Sequence, residues 1–91
     1  MENLNLSIGI IETTGYIATI SALDTLLNAS NVIVIDKELI GAGIVVIIIA
    51  GSISNIKEAI KSAEMAVEKL NAKCRHTIIA RPHNDIWSII P

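Results

Sequence analysis

Phenylalanine is absent from this 91-residue sequence, and Tyr16 and Trp87 are its only tyrosine and tryptophan, so its apolar residues are almost wholly aliphatic. Positive charge is also scarce: seven lysines and arginines against nine aspartates and glutamates leave a formal net charge of −2, with the two signs interspersed. No basic stripe is available to track a phosphate backbone, which argues against nucleic acid as a partner. The single cysteine, Cys74, excludes an intrachain disulfide and suits a reducing cytoplasm. Met1 to Asn5 has neither the cationic start nor the apolar stretch of a signal peptide. The longest uninterrupted apolar run, Ile44 to Ala50, is too short to cross a bilayer as a helix. The expectation is a soluble intracellular protein with no membrane partner. Linkers, low-complexity tracts and strong repeats are missing as well.

What is present is aliphatic surface in excess. Residues 1–91 have the length of a single domain, and a chain of this size buries only a modest share of the surface it exposes when unfolded. Yet 52% of the residues are apolar. So small a body cannot hide that much apolar surface alone, and soluble monomers avoid large apolar patches, so association with copies of itself or with a partner follows.

Leu4, Leu6, Ile8 and Ile10 alternate with Asn5, Ser7 and Gly9, the period of a first strand, which Thr13-Thr14-Gly15 ends. From Tyr16 the period becomes helical. Tyr16, Ile20, Leu23 and Leu27 form a bulky stripe suited to a sheet, and Ala18, Ala22, Thr25 and Ala29 form a small one suited to a close neighbouring helix. Ser30-Asn31 breaks this helix. Val32 to Ile35 and Ile44 to Ile49 are unbroken β-branched runs, the pattern of strands covered on both faces. Gly51 ends the second run, and Ser54 or Asn55 is a candidate cap for a helix with the stripe Ile56, Ile60, Ala63, Val67 and Leu70. Asn71 fits a left-handed stop. A last strand spans His76 to Ala80 until Pro82 removes a ladder donor, and Asn84-Asp85 can cap a short helix carrying Ile86, Trp87, Ile89 and Ile90. Strand, helix, strand, strand, helix, strand is a ferredoxin-like α+β order, an antiparallel sheet with two main helices on one face plus a short C-terminal helix. Its other face is left for the terminal segment or a neighbouring copy to cover.

Catalysis needs convergent polar groups, and Glu12, Asp24, Asp36, Glu38 and Asp85 sit at element ends or on a helix without paired spacing. They read as solvated or capping groups, so no catalytic residue is assigned. Cys74, His76 and His83 lack the second closely spaced ligand pair of a metal site, and no metal or other cofactor is expected. Cys74 and His76 share a strand face, but nothing in the sequence orients the imidazole as a base. Gly41-Ala42-Gly43 joins two strands instead of leading into a helix, which argues for a hairpin needing permissive backbone angles and against a phosphate loop. By itself Arg81-Pro82-His83 is an ordinary strand exit.

Together, Gly9-Ile10-Ile11-Glu12-Thr13-Thr14-Gly15, Ala22-Leu23-Asp24, the Ser30-Asn31-Val32 break, Ile40-Gly41-Ala42-Gly43, Gly51 before the second helix and Ala80-Arg81-Pro82-His83 resemble the hexameric BMC-domain shell proteins of bacterial microcompartments. The match runs from about Ile8 to Pro91. The resemblance implies a structural protein and not an enzyme: a homohexameric disc that joins other discs in a layer and, with other shell proteins including pentameric vertex proteins, surrounds encapsulated enzymes in the bacterial cytoplasm. It also implies that Ile40, Gly41, Ala42 and Gly43 line a central pore for small polar or anionic metabolites, with Ala42 at the constriction. Asn28, Asn31, Arg81 and His83 are implied as contacts at the hexamer edge. Two positions depart from the family pattern. Asn28 stands where the edge lysine is usual, and Leu39 replaces a lysine before the pore Ile-Gly, making its surroundings less cationic.

The fold admits two other readings, an oligomeric metabolite-binding regulator and a small enzyme acting on acyl phosphates. The latter needs an anion-binding arginine in the loop after the first strand, and Glu12-Thr13-Thr14-Gly15 has none.

Overall fold

The computed structural model describes residues 6–29 and 31–89. Within them run β1 (Ser7–Thr14), α1 (Tyr16–Asn28), β2 (Val32–Gly41), β3 (Ile44–Gly51), α2 (Ile53–Glu68), β4 (Cys74–Ile79) and α3 (Ile86–Ile89). The strands form one sheet in the order β2-β3-β1-β4, with all three pairings antiparallel. This is the ferredoxin-like α+β architecture expected from the element order. Leu4, Ser30 and Ile90 lie outside the described residues.

Alternation in β1 and β3 decides the core. Ile11 pairs with Ile47, Gly9 with Ile49 and Thr13 with Val45, and all six residues are buried beneath the two main helices. The opposite face carries Ile10, Ile48 and Val46, which are half-buried, while Ile8 and Ala50 on that face are fully covered. The prediction that β2 and β3 are covered on both faces therefore fails within a single chain. β2 is an edge strand, and Ile33 remains 64% exposed.

On α1 the small stripe lies against a neighbouring helix as expected, but the bulky stripe expected on the sheet is not buried there. Ala18, Thr19, Ala22 and Leu26 are the buried residues, whereas Tyr16, Ile20 and Leu27 face outward and Leu23 is half-buried. The reason is the closeness of α1 to α2, which contributes Ala59 and Ala63 to the same core; short side chains let two axes approach, and bulky ones would hold them apart.

On α2, Ile56, Ile60, Ala63 and Val67 are buried as predicted, but Leu70 falls beyond the helix and is exposed. Its cap is Ser52, whose hydroxyl accepts from the Asn55 amide at 3.3 Å, two or three residues before the positions expected. Asn71 has φ 56°, the anticipated left-handed stop. β4 starts earlier than predicted, at Cys74. At α3, the His83 ring nitrogen accepts from the Asp85 amide at 3.1 Å.

Gly9 sits on the helix-covered face where a Cβ would lie 2.9 Å from Ile56 Cγ2, 3.0 Å from Ile49 Cγ1 and 3.2 Å from Ile60 Cδ1. Gly9→Ala should therefore overpack this contact and lower stability by about 1–3 kcal/mol. A denaturant midpoint equal to that of the parent would show that α2 shifts away freely.

Candidate functional site

Residues 41–43 turn β2 into β3 through three consecutive left-handed conformations: Gly41 has φ 100°, Ala42 φ 54° and Gly43 φ 75°. Glycine adopts these angles without strain, but Ala42 does so at roughly 1–2 kcal/mol, because its Cβ crowds a carbonyl oxygen. An irregularity between Leu39 and Gly41 releases Ile40 from the ladder. All four residues, Ile40, Gly41, Ala42 and Gly43, are exposed at the sheet's end.

A chain of hydrogen bonds, buried at its Thr13–Thr19 end, anchors this tip. The Gly15 amide donates to the Gly43 carbonyl at 3.0 Å, and the Gly15 carbonyl accepts from the Thr19 amide at 3.1 Å and the Thr19 hydroxyl at 2.7 Å. Thr19 Oγ1 is also 2.8 Å from Thr13 Oγ1. A hydroxyl has one proton, so with Thr19 donating to Gly15, Thr13 donates to Thr19. Beside the loop, Tyr16, Thr19, Ile20, Leu23, Leu39 and Val45 line an open groove of about 390 Å³. Thr13 and Thr19 were not singled out from sequence, although a polar residue on the buried stripe of α1 is the available signal.

The four predicted edge residues sit at the other end of the sheet. Asn31 precedes Val32, which pairs with Gly51, and Gly51 pairs with Ser7. The Ser7 hydroxyl donates to the Ala80 carbonyl at 2.5 Å, immediately before Arg81. Asn28 and Asn31 line one shallow groove, and the Asn28 amide donates to Asp24 Oδ1 at 3.3 Å. Arg81 and His83 are exposed beyond β4, and His83 Nδ1 is 3.7 Å from Asp85. The length of β3 separates loop from edge, roughly 23 Å at about 3.3 Å per residue.

The sequence model of the BMC domain matches residues 7–82, almost the whole described chain. The chain belongs to the BMC-domain family. It is 32% identical over 85 residues to the bacterial microcompartment shell protein PduA of Citrobacter freundii, covering 93% of this chain and 91% of that protein. It is 30% identical over 90 residues to the carboxysome shell protein CcmK2 of Synechocystis, covering 97% and 87%. A crystal structure of a microcompartments protein from Desulfitobacterium hafniense superposes with a TM-score of 0.77 at 18% identity, a likeness of fold alone. It covers 89% of this chain, which spans 44% of that one.

Elsewhere in this BMC domain, His76 Nδ1 meets Glu64 of α2 at 2.8 Å, so a carboxylate does orient the imidazole, contrary to the sequence reading. This does not make Cys74 a nucleophile. Burial first, then the nearby carboxylates of Glu64 and Glu68, pushes its thiol pKa up, away from the reactive thiolate. Asp36, by hydrogen bond and then by charge, likewise holds the exposed Glu38 carboxyl above its usual range. Among the described residues no group of three His, Cys, Asp or Glu could hold a metal ion, and no helix is long and apolar enough to cross a membrane.

Thr19→Val should strand the buried Thr13 hydroxyl without an acceptor and release Gly15, costing about 1–3 kcal/mol. Amide exchange at Gly15 should accelerate more than exchange in α2, whereas equal acceleration throughout would mean that the hydroxyl chain does not hold the loop.

Proposed function

We propose that six copies of this BMC domain close into a flat disc with the Gly41–Gly43 tips around its axis, and that discs join edge to edge as tiles of a bacterial microcompartment shell. The protein is then wall and sieve, with no catalytic step and no cofactor. The observation that carries the reading is the separation of its two candidate sites: a glycine-framed tip at one end of the sheet, and Asn31 and Arg81 at the other. A disc needs that arrangement, because one end of each subunit has to approach the axis while the other meets the next disc.

Surface supports the same reading. Tyr16, Ile20, Leu27, Ile33, Leu39 and Ile40 are all exposed on the single chain, an apolar excess that contact between subunits would cover. At the rim, Arg81 can donate a planar fork to carbonyls of the facing disc, and twofold contact would use each residue twice. Asn28, short and uncharged, contributes hydrogen bonding there without charge. Other shell proteins, pentameric vertex proteins and encapsulated enzymes are the partners this role requires, in the bacterial cytoplasm. Residues 1–91 act as one domain in this role.

Light scattering after size exclusion should give six times the 9.7 kDa chain mass, or multiples of it. A stable dimer or trimer would instead favour the metabolite-binding regulator. Arg81→Ala should keep the hexamer mass and lose extended layers in electron micrographs, and layers as abundant as the parent's would remove Arg81 from the edge.

A further inference from the structure

The chain around the Gly41–Gly43 loop is uncharged over two long stretches. From Thr13 to Leu23 and from Leu39 to Ala50 there is no acidic or basic side chain, the Tyr16 phenol apart. The loop lies in the second stretch, and the Gly15 amide that holds it lies in the first. Leu39, 77% exposed, and the exposed Ile40 come immediately before it, and Leu39 shares the groove beside it with Tyr16, Ile20 and Leu23. Lys37 is the one charged residue lining that groove. Behind this apolar front the charges come in both signs. Lys37 pairs with the buried Ile47 on the helix-covered face, and its neighbour Glu38 pairs with Val46 on the open face. Val46 also pairs with Glu12, whose carboxylate lies 3.8 Å from the Arg75 guanidinium, and Lys73 precedes Cys74, the partner of Thr13. Asp36 is half-buried with one oxygen covered. At the end of α2, Glu64 is bonded to His76 and Glu68 is followed by Lys69. Neither sign prevails around the loop.

We propose that the opening framed by this loop sorts solutes by hydration and not by the sign of their charge: small uncharged hydroxyl or carbonyl compounds pass, ions of either sign are held back, and Leu39 is the position that sets this preference. The proposal rests on the hexameric tile above, and it narrows the polar or anionic solutes that the family resemblance implies. Ring closure covers part of Leu39 and Ile40, but whichever side chains of the two stretches remain at the opening, none brings a charge. An ion in a narrow passage has to give up water, and an apolar lining returns nothing for it. The loop backbone is the polar surface left, and its Gly43 carbonyl is already taken by the Gly15 amide. The remaining peptide groups can satisfy a hydroxyl or a carbonyl, whose desolvation costs far less than that of an ion. Leu39 is two residues from Gly41, about 7 Å along the strand. A cation placed there would lie within the screening length of about 10 Å in 0.1 M salt, so it would be felt at the opening.

The test is release of glycerol, lactate and choline, which are uncharged, anionic and cationic, from lipid vesicles carrying the purified hexamer at pH 7, with release from protein-free vesicles subtracted. The parent should release glycerol more than about tenfold faster than either ion. Leu39→Lys should speed lactate several-fold and leave choline slow; the side chain is exposed, so the mass should stay hexameric. Lactate or choline within tenfold of glycerol in the parent overturns the proposal, and a variant that releases lactate no faster than the parent removes Leu39 from the opening. Light scattering on the same preparation separates the failures: a parent that is not hexameric sinks the tile, and a hexamer that releases none of the three solutes sinks the pore. A hexamer that releases ions as readily as glycerol sinks only the sorting by hydration.

Discussion

The approach of α1 to α2 above the sheet constrains everything else in this small domain. Ala18 and Ala22 on one helix and Ala59 and Ala63 on the other are buried in a single core, over a sheet whose Gly9 leaves room for Ile56 and Ile60. Short residues bring the helices close, and closeness excludes long ones, so Tyr16, Ile20 and Leu27 are turned outward. The apolar surface that would have filled a larger protein's interior is left outside. A domain that buries this way is compact but incomplete, and association is how such surface is removed from water.

The same packing fixes the loop. Thr19 is on the buried side of α1, within reach of Thr13 on β1 and the Gly15 carbonyl, and the Gly15 amide holds the Gly43 carbonyl. The exposed hairpin tip, with Ala42 in a left-handed conformation, is therefore tied to the core through two hydroxyls and one backbone bond. An opening formed by such tips would have a fixed width, because each tip is held from its own core and not by its neighbours. Asn31 and Arg81, which we propose for the edge, take their position from the other end of the same strands, through the pairing of Val32, Gly51 and Ser7 and the bond from Ser7 to Ala80.

Polar groups away from these ends serve the fold. His76 and Glu64 link β4 to α2, and Cys74 beside them is kept protonated by burial and by its acidic neighbours. The acidic residues of β2 differ from one another: Glu38 is exposed on the face of an edge strand away from the two main helices, while Asp36 on the same face is half-buried.

The sequence by itself determined the element order, the ferredoxin-like class and the buried stripe of α2, because periods of two and of 3.6 follow directly from side-chain directions in strands and helices. It also determined the hairpin at Gly41-Ala42-Gly43, since two glycines between two β-branched runs supply the permissive backbone angles a tight connection needs, and through the ordered motifs it disclosed the BMC domain. It placed the small stripe of α1 against a neighbouring helix, but it did not determine that the bulky stripe stays outside. Tyr16, Ile20 and Leu27 are apolar enough to cover a sheet, and only the distance between the two helices, a property of three-dimensional packing, turned them outward. Nor could it show that Glu64 orients His76 or that Thr13 and Thr19 hold the loop, because those partners lie on different elements and meet only when the sheet and helices are stacked. Which carboxylates share the loop's open face was likewise decided by strand register, in which a slip of one residue would have sent each of them to the other side.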